Sequence, residues 1–356
     1  MLYYLASHIM NIFGPGRLLQ SYAVLISLAL YTGFILVYFL LPRCYRFLPS
    51  DRGREFTINA EAAKGKPTGG GVVFISVFVA VALIFAPIDL QQAIILALTW
   101  LTMLTGFLDD RSITSWGEYK KGALDLCISL CGAFALYYLN PDLNRNGEVC
   151  FWLPFISFSV TVCAPVYIAI AVLLLWTSIN TTNCTDGVDG LSSTLVLIAL
   201  ITVGVLFYFV LGHKDIAAYL LVPHLSDGAE WAIITFSLAG VLMGYLWHNA
   251  YPSKVLMGDA GSRALGFFIG AAVMVSGNPF LIFTTSSIMF LNGGTGLLKV
   301  ALLRFFKIRI FSNIRFPLHD HMRKERNWSP AQVLVKFMIM QVLVTIAVLG
   351  IILKVR

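Results

Sequence analysis

The stretch "VYIAIAVLLLWTSINTTNCTDGVDGLSSTLVLIALITVGVLFYFVL" runs from Val166 to Leu211. Two apolar runs flank a break, Ser178 to Ser193, that carries Asn180, Asn183, Asp186 and Asp189. Each run approaches the ~20 apolar residues that a helix needs to cross a bilayer. The break is too short for a domain, so the second run returns beside the first. The chain is therefore read as crossing a membrane, turning at its boundary and going back, with two carboxylates held at the turn.

The rest of the sequence extends this pattern. Hydrophobic residues make up 58% of the 356 and charged residues 12%, and mean hydropathy is +0.81. A soluble protein would carry about a quarter charged residues, so the soluble globular class is excluded. Apolar runs recur at 22–41, 71–88, 93–108, 123–139, 163–179, 191–211, 230–247, 264–276, 279–303 and 333–353. They predict an all-α integral membrane protein with ten transmembrane helices, in a single polytopic domain over 1–356. The eighth run is short and the ninth long, so tilt or a kink is expected there. The first run has Arg43 and Arg46 behind it and no small-residue cleavage site, so it reads as a retained helix rather than a signal peptide. The six Cys show no pairing pattern; Cys127 and Cys131, one turn apart in an apolar run, read as small core residues.

Ten spans place both termini on one side and sort the connections into two sets. One set comprises 42–70, 109–122, 180–190, 248–263 and 304–332. Of the 25 Lys and Arg, only Arg17, Arg145, Lys214, Lys354 and Arg356 lie outside this set and its borders. Basic loops stay in the cytoplasm, so the set is read as cytoplasmic and both termini as extracytoplasmic. Most of the 18 acidic residues share that face, which the orientation rule does not require. An active site on the cytoplasmic face accounts for them.

Four segments there carry groups suited to chemistry. "GFLDDRS" ends the third run with Asp109 and Asp110. Adjacent carboxylates repel unless a cation is near, and a helix C-terminus is the wrong end for them. Hard oxygen ligands of this kind suit Mg²⁺, which bridges one or two carboxylates to substrate phosphates. "TDGVDGL" places Asp186 and Asp189 where one acid can cap the following helix, while the second is left over. "HNAYPSKVLMGDAGSRALG" carries Asn249 and Asp259, with small residues that let backbone approach a ligand. "PLHDHMRKERNW" carries His319, Asp320 and His321; a zinc site would want more His or Cys, so contact to phosphate is the better reading. Lys64, Lys66 and Thr68 precede the Gly run of "KGKPTGGG", which reads equally as a phosphate loop or as close packing. "NGGTG" (292–296) reads as close helix packing or a bend.

Taken in order, "PTGGG", "GFLDD", "NCTDGVDGL", "NAYPSKVLMGDAGSRALG" and "PLHDHMRKERNWSPAQVLVKF" resemble the polyprenyl-phosphate N-acetylhexosamine-1-phosphate transferase superfamily. The resemblance covers about residues 64 to 338. It points within the superfamily to the branch that uses UDP-MurNAc-pentapeptide. It implies a multi-pass enzyme of the bacterial inner membrane that moves phospho-MurNAc-pentapeptide to undecaprenyl phosphate. The products are lipid I and UMP, Mg²⁺ is the cofactor, and the setting is peptidoglycan synthesis. A homodimer embedded in membrane lipid is implied, and no nucleic-acid partner. Position by position, the resemblance implies catalytic roles for Asp109, Asp110, Asp259 and His319, with Asp259 binding the metal. It implies substrate contacts for Lys64, Thr68, Asn183, Asp186, Asp189, Asn249 and His321. Four positions depart from the pattern: Asp320 interrupts a triple-His segment, Leu256 replaces an aromatic, and Ile113 and Ala63 replace Lys. A sister transferase using UDP-GlcNAc is the nearest alternative. A transporter or lipid flippase is a third reading, disfavoured because the acids gather at one boundary rather than at mid-membrane.

Overall fold

The computed structural model describes residues 2–3, 14–53, 64–141, 143, 147–154, 156 and 158–354. Ala63 lies outside them. The chain is helical almost throughout: α1 (Tyr22–Cys44), α2 (Gly71–Phe85), α3 (Leu90–Arg111), α4 (Glu118–Tyr138) and α5 (Ala164–Thr185) come first. Then follow α6 (Leu191–Val205), α7 (Gly228–Asn249), α8 (Gly258–Val275), a broken α9 (281–306) and α10 (Pro330–Lys354). A two-stranded antiparallel hairpin, β1 (Cys150–Phe151) with β2 (Val160–Thr161), lies between α4 and α5.

Seven helical stretches among the described residues are long and apolar enough to cross a membrane: Tyr22–Phe47, Leu90–Arg111, Ala164–Thr185, Leu191–Leu211, Gly228–Asn249, Ser287–Phe306 and Pro330–Leu353. A 22-residue helix is about 33 Å long at 1.5 Å per residue, matching a hydrocarbon core of about 30 Å. α2 is apolar but shorter. The kink expected in the ninth run is present: Leu281–Thr285 and Ser287–Met289 are offset at Ser286, and π-type turns occur at Phe290–Gly294 and Leu302–Phe306. Gly293 sits where an added Cβ would lie 2.6 Å from the Thr181 carbonyl of α5, so "NGGTG" is both a bend and a close contact.

α8 is the centre of the bundle, packed by α2, α3, α4, α5 and α6. Every residue from Gly258 to Met274 is buried, as expected of a helix enclosed by neighbours on every side. Its small residues let neighbouring backbones come close. The helix begins at Gly258 rather than at the 264 expected from hydropathy, and α4 begins at Glu118 rather than at 123. The reason at α8 is a cap supplied from another element. The Asp110 carboxylate at the end of α3 accepts the N–H groups of Asp259 and Ala260, each at 3.0 Å. Those N–H groups have no partner within the helix itself. At its other end α3 carries its own cap: the Asp89 carboxylate accepts the Gln92 N–H at 2.7 Å and the Gln92 side chain accepts the Asp89 N–H at 3.2 Å.

Candidate functional site

The C-terminus of α3 and the N-termini of α4 and α8 converge on a cavity of about 300 Å³. Asp109, Asp110, Asp259, Lys121, Thr68 and Asn183 line it, together with Ser50–Gly53. Asp109 and Asp259 are both nearly buried, at 6% and 4% exposure, and both turn an oxygen to the same cation. The Lys121 ammonium lies 2.9 Å from Asp259 Oδ2 and in direct contact with Asp109 Oδ2. Burial opposes charge on Lys121, but Asp259 and Asp109 outweigh it and hold its pKa above the ordinary lysine value. The second Asp109 oxygen accepts the Trp116 N–H at 2.7 Å, which fixes the rotamer and folds the α3–α4 connection over it.

Glycine makes the convergence possible. Gly258 has φ +68°, and a Cβ there would lie 2.2 Å from Asp110 Oδ2. At Gly106, one turn before the acid pair, a Cβ would sit 2.4 Å from the Asp259 carbonyl. The "PTGGG" run serves the same end. Gly70 and Gly71 donate backbone N–H bonds to Leu256 and Met257, at 3.0 and 3.1 Å, and Leu256 donates to Pro67 at 2.8 Å. The Gly run is thus a close-packed brace for the "MGD" segment, and Thr68 beside it faces the cavity.

The sequence-identified residues separate into two groups. Asp109, Asp110, Asp259, Thr68 and Asn183 share the cavity. Asp110 lines it but spends both oxygens on the α8 cap, so its geometry is that of a positioning group. Asp186, Asp189, Asn249, His319 and His321 are outside the cavity lining. Asp189 Oδ2 accepts the Ser253 N–H at 2.9 Å and lies 3.8 Å from the Lys66 ammonium. Asn249 is buried, accepting the Gly190 N–H and donating to the Val255 carbonyl, so it ties the start of α6 to the loop before α8. His319, 2% exposed, receives and gives hydrogen bonds only with Asn292 among its described partners and packs edge-on against Gly187. Burial, aided by the Arg323 charge, pushes its pKa down to about 3, so the ring is neutral at physiological pH. His321 Nδ1 accepts the Arg315 N–H at 3.4 Å. Lys64 is exposed.

Lys121, Arg52 and Asn292 escaped the sequence reading. Lys121 had a signal: positive charge in the first turn of α4 is opposed by the helix dipole, the mirror image of the mismatch that marked Asp109 and Asp110. Arg52 lines the cavity and donates to the Ile113 carbonyl, which brings a cation to the edge where Ile113 replaces a family Lys. Arg111, the basic residue two positions before Ile113, is exposed. Asn292 had no signal beyond its place in a Gly-rich bend.

Among the described residues no group of three or more His, Cys, Asp or Glu is arranged to enclose a metal. The site nevertheless suits a hard divalent ion shared with phosphates. Two carboxylate oxygens face one point, and the Lys121 ammonium demonstrates that a cation is stabilised there.

Seven helical stretches that can cross a membrane, and a polar cavity where the end of one of them, α3, meets the starts of α4 and α8, define a multi-pass membrane protein with a charged site. A family model described as Glycosyl transferase family 4 matches residues 92–277, which include Asp109, Lys121 and Asp259. The phospho-N-acetylmuramoyl-pentapeptide-transferase of Treponema pallidum (strain Nichols) is 57% identical over 97% of this chain and 94% of its own length. Those of Campylobacter hominis and Wolinella succinogenes are 30% and 29% identical over 98% and 100% of the chain, with the same shares of their own lengths. The chain belongs to the phospho-N-acetylmuramoyl-pentapeptide-transferase family.

Proposed function

We propose that this protein transfers phospho-MurNAc-pentapeptide from its UDP-activated donor to undecaprenyl phosphate, forming lipid I and releasing UMP. The relatives' shared name and near full-length alignment support the reaction. The observation that carries the chemistry is the pair of buried carboxylates, Asp109 and Asp259, turned toward one cation in an open cavity. In the reaction, an oxygen of the lipid phosphate attacks the sugar-bearing phosphorus. The bond from that phosphorus to the bridging oxygen breaks, and UMP leaves with that oxygen. Asp259 and Asp109 would hold Mg²⁺, which supplies charge neutralisation and alignment of the pyrophosphate when bound. Lys121 bridges the two carboxylates before substrate enters. Asp109, lining the same cavity, is the group placed to act as the base on the lipid phosphate. Asp110 fixes the height of α8 and so the placement of Asp259. Thr68, Asn183 and Arg52 offer hydrogen bonds and charge to the donor. Asp189 and Asn249 shape the nucleotide side through the segments they brace, and Asp186 lies in the same turn.

The same reading gives ten spans with both termini outside, the cavity at the cytoplasmic boundary of the bacterial inner membrane, and a homodimer. A boundary position serves a water-soluble donor and a lipidic acceptor together. The test uses purified protein with undecaprenyl phosphate and Mg²⁺, offered UDP-MurNAc-pentapeptide or UDP-GlcNAc. Release of UMP with the muramoyl donor alone is expected. Turnover of UDP-GlcNAc instead would assign the sister reaction, and transport without UMP release would remove the enzyme reading.

A further inference from the structure

Directly beneath the cavity lies a second pair of opposite charges that the reaction does not employ. Asp125 on α4 and Arg263 on α8 are each 1% exposed. Arg263 donates from Nε at 3.1 Å, and from Nη2 at shorter range, to the same oxygen, Asp125 Oδ1. Its Nη1 is buried with no hydrogen-bond partner among the described residues. The guanidinium is therefore held by one oxygen and retains an unused donor.

The spacing gives this pair its meaning. Asp125 follows Lys121 by one helical turn, and Arg263 follows Asp259 by one turn. Residues so spaced are neighbours on a helix face. Asp125 is close enough for the Lys121 and Asp259 charges to act on it. Each helix thus carries an opposite-charge pair that could close on itself: Lys121 with Asp125, and Asp259 with Arg263. The observed pairing crosses between the helices instead, Lys121 to Asp259 above and Asp125 to Arg263 below. A lone Arg263 would have Asp259, one helical turn away, as an alternative acceptor. A lone Asp125 would draw the Lys121 ammonium down from the cavity.

We infer that Asp125 and Arg263 are positioning residues that neutralise each other and so leave Lys121 and Asp259 free to face the cavity. The inference rests on the assignment of Asp259 and Lys121 to the reaction. It accounts for two buried charges whose desolvation an apolar pair of similar volume would avoid.

The test compares Asp125→Asn, Arg263→Met and the double variant Asp125→Leu/Arg263→Met with the parent enzyme and Asp259→Asn. Each is followed by UMP release and by thermal unfolding in detergent. Each single variant is expected to lose about tenfold or more in kcat, with donor KM within about threefold because the donor contacts lie elsewhere. The double variant, in which neither charge is left to stray, is expected to regain kcat to within about threefold of the parent. Asp125→Asn keeps the volume and an acceptor for Arg263, and provides a folded single variant if Arg263→Met cannot be purified. Parent-like kcat in Asp125→Asn would overturn the inference, as would a double variant no faster than the singles. Loss of kcat that follows melting temperature across the set would also overturn it, because that is the signature of a packing role. If Asp259→Asn keeps parental turnover, the site assignment itself fails and the positioning role falls with it.

Discussion

Two polar regions of this bundle look alike in sequence and differ in what their side chains do. At the α3–α4–α8 junction, Asp109 and Asp259 turn toward a shared cation and line open space. At the junction of α5, α6, α9 and the short helix Leu318–Glu325, the polar groups are turned into the protein. There Asn292 holds His319, Asn249 holds Gly190, and Asp189 holds Ser253. The first region presents charge, and the second fixes the loops that shape the cavity. Polar residues at the ends of membrane helices are therefore not a single class. The decisive question is whether their hydrogen-bonding capacity is already spent.

The contrast is open to experiment. The largest effect is expected at the presenting region. Asp259→Asn should lower kcat for UMP release by about a thousandfold while the melting temperature stays within a few degrees, and Asp109→Asn should follow closely. Near-parental turnover in either would erase the distinction between the regions. Asp110→Asn should cost far less, because the amide oxygen still accepts one of the two backbone N–H bonds; a loss of about 1 kcal/mol in stability is expected by thermal unfolding. If its activity falls as far as that of Asp259→Asn, Asp110 belongs with the presenting groups.

The bracing region has its own test, in pH. His319 is neutral when folded, with a pKa of about 3, against an ordinary value of 6.5. Between those values the unfolded chain binds the proton that the folded chain refuses. Stability should therefore fall as pH drops below about 6.5 and continue falling toward 3. Asp320 acts in the opposite sense: burial raises its pKa against the pull of Arg315 and Arg323, so its contribution weakens as pH rises. His319→Gln should flatten the acid-side slope of melting temperature by removing only the first of these. An unchanged slope would show that His319 is not held neutral. The smallest effect is expected at Lys64, which is exposed: Lys64→Ala should leave kcat and donor KM within about twofold, surface changes away from built features being nearly neutral.

Much of this was legible from residue order. Hydropathy marked the runs that became the helices, because a membrane span must satisfy its own backbone and present apolar side chains over its length. The electrostatic mismatch at "GFLDD" marked Asp109 as more than a solvated helix end. Hydropathy failed where a helix continues through polar residues. The starts of α4 and α8 were placed too late because Lys121 and Asp259 lower the apolar average, although both sit in regular first turns. The "KGKPTGGG" ambiguity was resolved only by the partners of Gly70 and Gly71.

The sequence by itself determined that the chain is a helical membrane protein with charged breaks between its apolar runs, since apolar length and the positions of charges are properties of residue order. It also determined which family the chain resembles. Only the tertiary structure decided which carboxylates face a common cation, which ones cap or brace, and that Arg263 answers Asp125 rather than Asp259. Those outcomes depend on distances between helices that are remote in sequence. They are set by glycine contacts and by the competition among acceptors for each buried donor.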